Sequence, residues 1–387
     1  MTKLAGVLLA CLAFGGGVGV EPARPPTGQP PAAATWRDPE QVDVFVSGEG
    51  GYHTYRIPSI IATSSGALLA FAEARKGGAG DAGDIDLVSR RSEDGGRTWG
   101  PMMLVGDNGP NTFGNPCPVI DRDTGTIWLL TTHNRGTDRE RDILAGTSAG
   151  TRTVWVLKSL DEGRTWSTPV EITASTKQAD WTWYATGPGI GIQLQGGRLV
   201  IPANHAVAGT QAHRSHVVYS DDHGASWRIG AIAPEGTNES QAVELADGRL
   251  MLNMRNHPPR PRNLRAVAVS GDGGRTLGPL RFDEALPEPP AQASLLRYST
   301  TESGGRALLL FTNPSGRGRE RMTIRLSEDE GETWPFWRVL HEGPAAYSCL
   351  VVLRDGTIGV LYERGQQSAY ERLTFARVDL AWVRQGR

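Results

Sequence analysis

Five copies of one short pattern, S-x-D-x-G-x-[TS]-[WL], recur along the chain: SEDGGRTW (92–99), SLDEGRTW (159–166), SDDHGASW (220–227), SGDGGRTL (270–277) and SEDEGETW (327–334). Successive copies start 67, 61, 50 and 57 residues apart. A supersecondary unit recurring at such a period cannot bury its own apolar face and must stack on its neighbours, as in propellers and solenoids. Each copy follows a β-branched or apolar run, namely IDLVSRRS, VWVLKS, HVVYS, LRAVAVS and MTIRLS, which reads as a strand entering a tight turn. Asp supplies the turn's side-chain hydrogen bond, Gly its positive φ, and the Trp folds back onto the unit. Further hairpins read from SSGALLAFAE, TGTIWLLTT, GGRLVIPAN, DGRLMLNMR and DGTIGVLYE. The 49 glycines and 25 prolines suit many turns, and no stretch keeps a long 3.6-residue period. Residues 40–385 hold roughly six such units. The expected fold is all-β, a six-bladed β-propeller; seven blades, each near the shortest spacing, rank second.

The repeats explain themselves as turn geometry, so their aspartates are structural rather than catalytic. Residues 1–20, MTKLAGVLLACLAFGGGVGV, carry Lys3 and an apolar stretch from Leu4 to Phe14 and read as a signal peptide, too short for a membrane span. LLAC at 8–11 mimics a lipoprotein box, but the apolar run continues past Cys11, which favours an ordinary signal. Residues 21–35 are a Pro/Ala-rich linker, and the folded domain is expected over 36–387. The mature chain is therefore expected to be secreted or periplasmic, with no membrane span. Beyond the signal only Cys117 and Cys349 remain, which are too few for a disulfide scaffold; whether they pair is left open. With 40 Lys+Arg against 42 Asp+Glu there is no basic field for nucleic acid.

Function needs residues outside the repeats. Arg56 sits inside the apolar run YRIPSI, Arg255 ends RLMLNMR, and Arg319 precedes MTIRLS. Strand interiors rarely hold an unpaired guanidinium. Three arginines from three units would together suit a small carboxylated ligand, because the guanidinium fork grips a carboxylate in plane. Singly, each reads as a surface arginine. HRSH (213–216) has metal-like spacing but no third ligand, and no metal or cofactor is expected.

The chain resembles the sialidase (neuraminidase) superfamily over residues 40–385. The resemblance rests on YRIPSI, the five Asp boxes, FAEARKGGAGDAGDIDLVSRRSEDGGRTW (71–99), NPCPVID (115–121), GPGIGIQL (187–194), NESQAVEL (238–245) and AYSCLVVLRDGTIGVLYE (346–363). It implies a six-bladed propeller that releases terminal α-linked sialic acids from glycoproteins, glycolipids and oligosaccharides, without a cofactor. It also implies roles. Arg56, Arg255 and Arg319 match the carboxylate-binding triad, with Arg317 and Arg321 as neighbours of the third. Asp81 matches the acid/base, with Asp84 and Asp86 as competitors in the same loop; Asp86 reads better as a strand residue. Glu239 and Tyr347 match the nucleophile pair, Glu363 the carboxylate that orients Arg56, and Arg75 a further arginine at the edge of the site.

These residue types fit the chemistry. A sialic acid bears its carboxylate on the anomeric carbon, so a charged nucleophile would be repelled, and sialidases use tyrosine instead. A phenol with a pKa near about 10 needs an adjacent base. Trp181, Trp183 and Tyr184 read either as a sugar-stacking rim or as core. Asn204 and His205 are candidates for the glycerol or acyl side of the substrate. Taken alone, Tyr347, Glu239 and Asp81 each read as ordinary strand, turn and loop residues; jointly and in family order they favour the enzyme. A transferase passing the sialyl group to another sugar, and a sugar-binding lectin, stand as alternatives. Arg56→Lys is expected to impair binding and turnover, and to spare stability if Arg56 faces a wet cleft.

Overall fold

The structure, a computed structural model, describes residues 38–210, 212–257, 263–299 and 307–386. The expected signal and linker lie outside the described residues. The fold is all-β, with three short helices among the described residues (Glu140–Leu144, Thr173–Thr176 and Leu380–Arg384). No helix of these residues is long and apolar enough to cross a membrane.

The strands fall into successive antiparallel meanders of four. The first runs through Thr54–Ala62, Leu68–Arg75, Ile85–Ser92 and Met103–Gly106. The second runs through Thr112–Ile120, Ile127–Asn134, Thr153–Ser159 and Val170–Glu171. The third is Trp181–Thr186, Leu199–Val207, His213–Ser220 and Arg228–Ile232, and the fourth Thr237–Glu244, Leu250–Asn256, Leu264–Ser270 and Arg281–Pro287. The fifth uses Ser294–Ser299, Leu308–Pro314, Glu320–Ser327 and the first part of the long strand Phe336–Val352. The rest of that strand opens the sixth, which continues through Ile358–Arg364 and Arg372–Val378. Its last strand is Glu40–Val46, from the other end of the described chain, paired from Glu40↔Arg377 to Val46↔Arg372.

Burial follows from this order. Each hydrophobic cluster joins one meander to the next: Leu69, Phe71, Phe113 and Leu129 between the first and second, Cys117, Leu130, Tyr184 and Ile201 between the second and third. The series continues with Val200, Val217, Leu252 and Ala266, Val243, Val267, Leu295 and Phe311, and Leu310, Ile324, Leu350 and Val360. A further cluster joins the sixth meander back to the first through Phe45, Phe375, Cys349, Tyr55 and Ile60. Cys117 and Cys349 are free, buried thiols.

The five boxes are turns, as expected. In the first, Ser92 Oγ donates to Asp94 Oδ1 at 2.8 Å, Gly96 N–H donates to Ser92 Oγ at 2.8 Å, and Thr98 donates to Asp94 through both its N–H and its hydroxyl. Gly96 stands at φ +88°, and a Cβ there would lie 2.1 Å from the Phe375 ring. The tryptophans differ from expectation. Three pack on the preceding meander, Trp99 on Phe375, Trp166 on Phe71 and Trp227 on Trp128, whereas the Trp334 ring lies 5.7 Å from Phe311 of its own meander. Trp334 donates its indole N–H to Asp283 of the fourth meander. The box therefore shapes its own hairpin with polar bonds and staples it to its neighbour with the indole.

Candidate active site

The first strands of the meanders run side by side, and a local irregularity near the start of five of them decides which side chains leave the sheet. Pairing shifts register between Arg56 and Ser59, Gly114 and Cys117, Trp181 and Tyr184, Thr237 and Ser240, and Ala345 and Ser348. Such bulges re-aim side chains and are common beside active sites. Two have a visible sequence cause, since Pro58 and Pro116 follow immediately and offer no N–H to the ladder. Ile57 and Asn115 stand at φ 59° and 54°. For a β-branched residue such as Ile57 this is a strained conformation costing about 1–3 kcal/mol, held only where the surroundings over-determine it.

Within these bulges or beside them stand Arg56, Asn115, Trp183, Asn238, Glu239 and Tyr347, and all six line one cavity of about 200 Å³. Arg75, Asp81, Asn204, Arg255 and Arg319, also expected from the sequence, line it too. A larger apolar cavity of about 730 Å³ lies at the opposite ends of the same strands and contains none of the predicted residues.

Glu363 is fully buried and ties the floor together. It accepts Arg56 Nε and Nη2 at 3.1 and 3.4 Å, and the backbone N–H groups of Ile57 and Tyr347 at 3.0 Å each. Burial, the largest effect, opposes the charge on Arg56, but Glu363 together with Tyr347, Tyr370 and Asp81 outweighs it and raises the guanidinium pKa. Three guanidiniums surround one phenol. Arg56 Cζ and Arg319 Cζ each lie 5.2 Å from the Tyr347 ring centre, and Arg255 Nη1 lies 3.2 Å from its hydroxyl. Tyr347 Oη donates to Glu239 Oε1 at 2.6 Å, and Arg255 donates to the other oxygen of Glu239 at 2.6 Å. Burial first, and the Glu239 charge second, push the Tyr347 phenol above its ordinary value. Arg255 Nε is buried without a partner among the described residues.

Asp81 faces this group from the Gly-rich loop and is half exposed. Its Oδ1 lies 2.8 Å from Arg75 and 3.6 Å from Arg56. Burial raises its carboxyl, but those two cations outweigh burial and hold it below the ordinary value. The competing loop acids point elsewhere: Asp84 pairs with Lys76, and Asp86 is a buried strand residue shared by Lys76 and Tyr52. At the third arginine, Arg317 is exposed and Arg321 pairs with Glu342, so only Arg319 lines the cleft.

Other expectations divide. Trp183 and Asn204 line the cavity, whereas Trp181, Tyr184 and His205 are core, with His205 stacked on Trp181 at 3.5 Å. His213 and His216 diverge, one to Asn238 and the other to His205 and Tyr184. Several cleft residues escaped sequence reasoning. Glu73 holds Arg75 and the strained Asn115 N–H, and Tyr370 stacks on Arg56 at 4.2 Å and accepts Arg319. Arg152 lies 3.8 Å over the Trp183 ring, and Glu140, Asn238 and His257 also line the wall. Glu73 had a readable signal, a carboxylate two residues from an arginine in the apolar run LLAFAEAR; the others had none.

Such a fold and cleft define an all-β protein of antiparallel meanders whose cleft sets a tyrosine–glutamate pair among three guanidiniums. A family profile described as a BNR repeat-like domain matches residues 66–360. A sialidase of Micromonospora viridifaciens is 37% identical over 361 residues, covering 88% of this chain and 54% of the relative. An exo-alpha-sialidase of Aspergillus fumigatus is 33% identical, covering 87% of this chain and 86% of its own. Among solved structures, the Hadza microbial sialidase Hz136 superposes with a TM-score of 0.79 at 32% identity, covering 89% of this chain and 69% of that one. The chain belongs to the sialidase superfamily. It spans about half the length of the Micromonospora relative.

Proposed function

We propose that this chain is an exo-α-sialidase that hydrolyses terminal α-linked sialic acids from glycoconjugates, with retention, through a tyrosyl-enzyme intermediate. The observation that carries this reading is the 2.6 Å hydrogen bond from Tyr347 to Glu239 inside a ring of three guanidiniums. A lectin would need the arginines but not a phenol seated on a base. The cyclic order of the inter-meander cores supports a closed six-bladed propeller with the cleft on its axis.

In this reading the substrate carboxylate enters between Arg56, Arg255 and Arg319 and meets the unpartnered Nε of Arg255. Its charge offsets the field that depresses Asp81, so the Asp81 carboxyl rises and holds the proton it must donate. Tyr347 Oη attacks the anomeric carbon while Glu239 takes the phenolic proton. Asp81 protonates the departing glycosidic oxygen. Asp81 then deprotonates a water, which attacks the same carbon, and Glu239 returns the proton to the leaving phenolate. Two inversions give net retention. The substrates are sialylated glycoproteins, glycolipids and oligosaccharides, met outside the cytoplasm after removal of residues 1–20. Mass spectrometry of protein released by the native cell checks the location; an intact Met1 on cytosolic protein refutes it.

The mechanistic test is covalent trapping with a 2,3-difluoro sialic acid, whose fluorines slow breakdown of the intermediate. Peptide mapping is expected to place the adduct on Tyr347. An adduct on Asp81 or Glu239 would overturn the role assignment. Absence of both adduct and turnover on a fluorogenic sialoside would overturn the enzyme reading, and product transfer to an added sugar in place of water would make the chain a transferase.

A further inference from the structure

A buried cation outside the catalytic set lies behind the wall of the cleft. Lys177 follows the short helix Thr173–Thr176, in the connection between the second and third meanders. It is 9% exposed and has no carboxylate partner among the described residues. Its Nζ donates to Thr151 Oγ1 at 2.6 Å, to the Arg152 carbonyl at 2.5 Å and to the Thr182 carbonyl at 2.8 Å. The Arg152 and Thr182 carbonyls belong to different meanders, and the adjoining side chains, Arg152 and Trp183, stack on each other and line the cleft. We propose that Lys177 is a positioning residue for substrate binding: its ammonium clamps the two segments that carry Arg152 and Trp183 and holds that guanidinium–indole wall in register. The inference rests on the sialidase reading of the cleft.

The donor count makes the clamp depend on protonation. Three acceptors face Nζ, and an ammonium has three N–H groups to give them. Thr151 cannot compensate, since its hydroxyl hydrogen is already committed to the Thr182 carbonyl at 2.8 Å. A neutral amine has two N–H groups and turns its lone pair on the third acceptor. Burying an uncompensated cation is costly. Burial, and then the charge of Arg152, lower the Lys177 pKa to about 7. The charged or titratable groups facing it are Arg152 and, from the third meander, His205, which burial keeps neutral. As pH rises through neutrality the ammonium loses a proton, one bond of the clamp is lost, and the wall loosens.

The test compares wild type with Lys177→Met on a fluorogenic sialoside from about pH 6 to 8, alongside calorimetric binding of a sialic acid glycal. Wild-type KM and Kd are expected to rise about fivefold across this range, the equivalent of one hydrogen bond. Lys177→Met is expected to show the raised values throughout, flat with pH, with kcat within about twofold of wild type. A variant whose KM and Kd track wild type at every pH overturns the inference. If Lys177→Met does not fold, Lys177→Arg keeps a permanent cation and is expected to bind with no pH dependence across neutrality; wild-type pH dependence in that variant also overturns it. Failure of the sialidase reading is separable, because wild type would then lack turnover while the Kd comparison still decides the role of Lys177.

Discussion

At the scale of the residue, the cleft is governed by buried charges that hold one another in place. Arg56 is only 5% exposed and Glu363 is fully buried, so the expectation that Arg56→Lys would spare stability falls with the wet cleft on which it was conditioned. A lysine cannot reproduce two parallel bonds to Glu363 and leaves part of that buried carboxylate unpaired. Arg56→Lys is therefore expected to lower kcat/KM about 10- to 100-fold, matching one or two lost charged hydrogen bonds, and to lower Tm as well; steady-state kinetics and calorimetry check both. Tyr347→Phe makes the contrasting case. It removes one oxygen and keeps the ring between Arg56 and Arg319. Turnover is expected to drop by several orders of magnitude while the Kd of a carboxylated glycal changes far less. A parallel loss of binding would mean the hydroxyl serves the ligand rather than the reaction. The residue types were readable before the structure because an arginine inside an apolar run demands an explanation. Tyr370 was not readable, because nothing in SAYERL marks a ring that stacks on Arg56.

At the scale of the element, two devices recur. The box turn is legible because all its polar bonds close within a few residues, from Ser92 to Thr98 in the first copy. Bonds from Thr98, the largest effect, with Ser92 and Arg97 adding to them, lower the Asp94 pKa to about 2. A carboxyl depressed in the folded state adds stability above its unfolded pKa of about 4, and that stability is lost as pH falls toward about 2. Asp94→Ala is expected to lower Tm at neutral pH by a few degrees and to lessen the fall of Tm with acid; equal acid slopes in variant and parent would remove Asp94 from the account. The second device, the bulge near the start of five inner strands, leaves almost no trace in the sequence. Pro58 and Pro116 hint at two of them, while the shifts at Trp181–Tyr184, Thr237–Ser240 and Ala345–Ser348 have no such marker. A register shift arises from what the partner strand offers, and the partner is elsewhere in the chain.

At the scale of the whole molecule, the sixth meander is completed by the first described strand. Val44 and Phe45 of Glu40–Val46 are buried against Leu373 and Phe375, in the cluster that also joins the first meander to the sixth. Deleting residues 38–46 removes two apolar side chains worth about 1.5–3 kcal/mol each and bares the edge of Arg372–Val378. The expected result is a sharp loss of Tm with concentration-dependent aggregation, measured by calorimetry and light scattering. A deletion variant that stays monomeric and melts with the parent would show that the clasp strand is dispensable.

The boundary between what could be read and what had to be folded follows contact distance along the chain. Turns, hairpins, the recurrence of a strand-rich unit and the oddly placed arginines all depend on neighbours a few residues apart, and the amino-acid order states them directly. The site does not. Arg56 meets Glu363 across 307 residues, and Tyr347 meets Glu239 across 108. Those meetings exist only because each meander buries its faces against its neighbours, which brings the starts of the inner strands to one cleft. The same packing decided which of Asp81, Asp84 and Asp86 faces the guanidiniums, and that the indoles of the boxes reach backward to the preceding meander. Local hydrogen bonds are fixed by sequence spacing, whereas burial and charge pairing are fixed by which distant surfaces are driven together out of water.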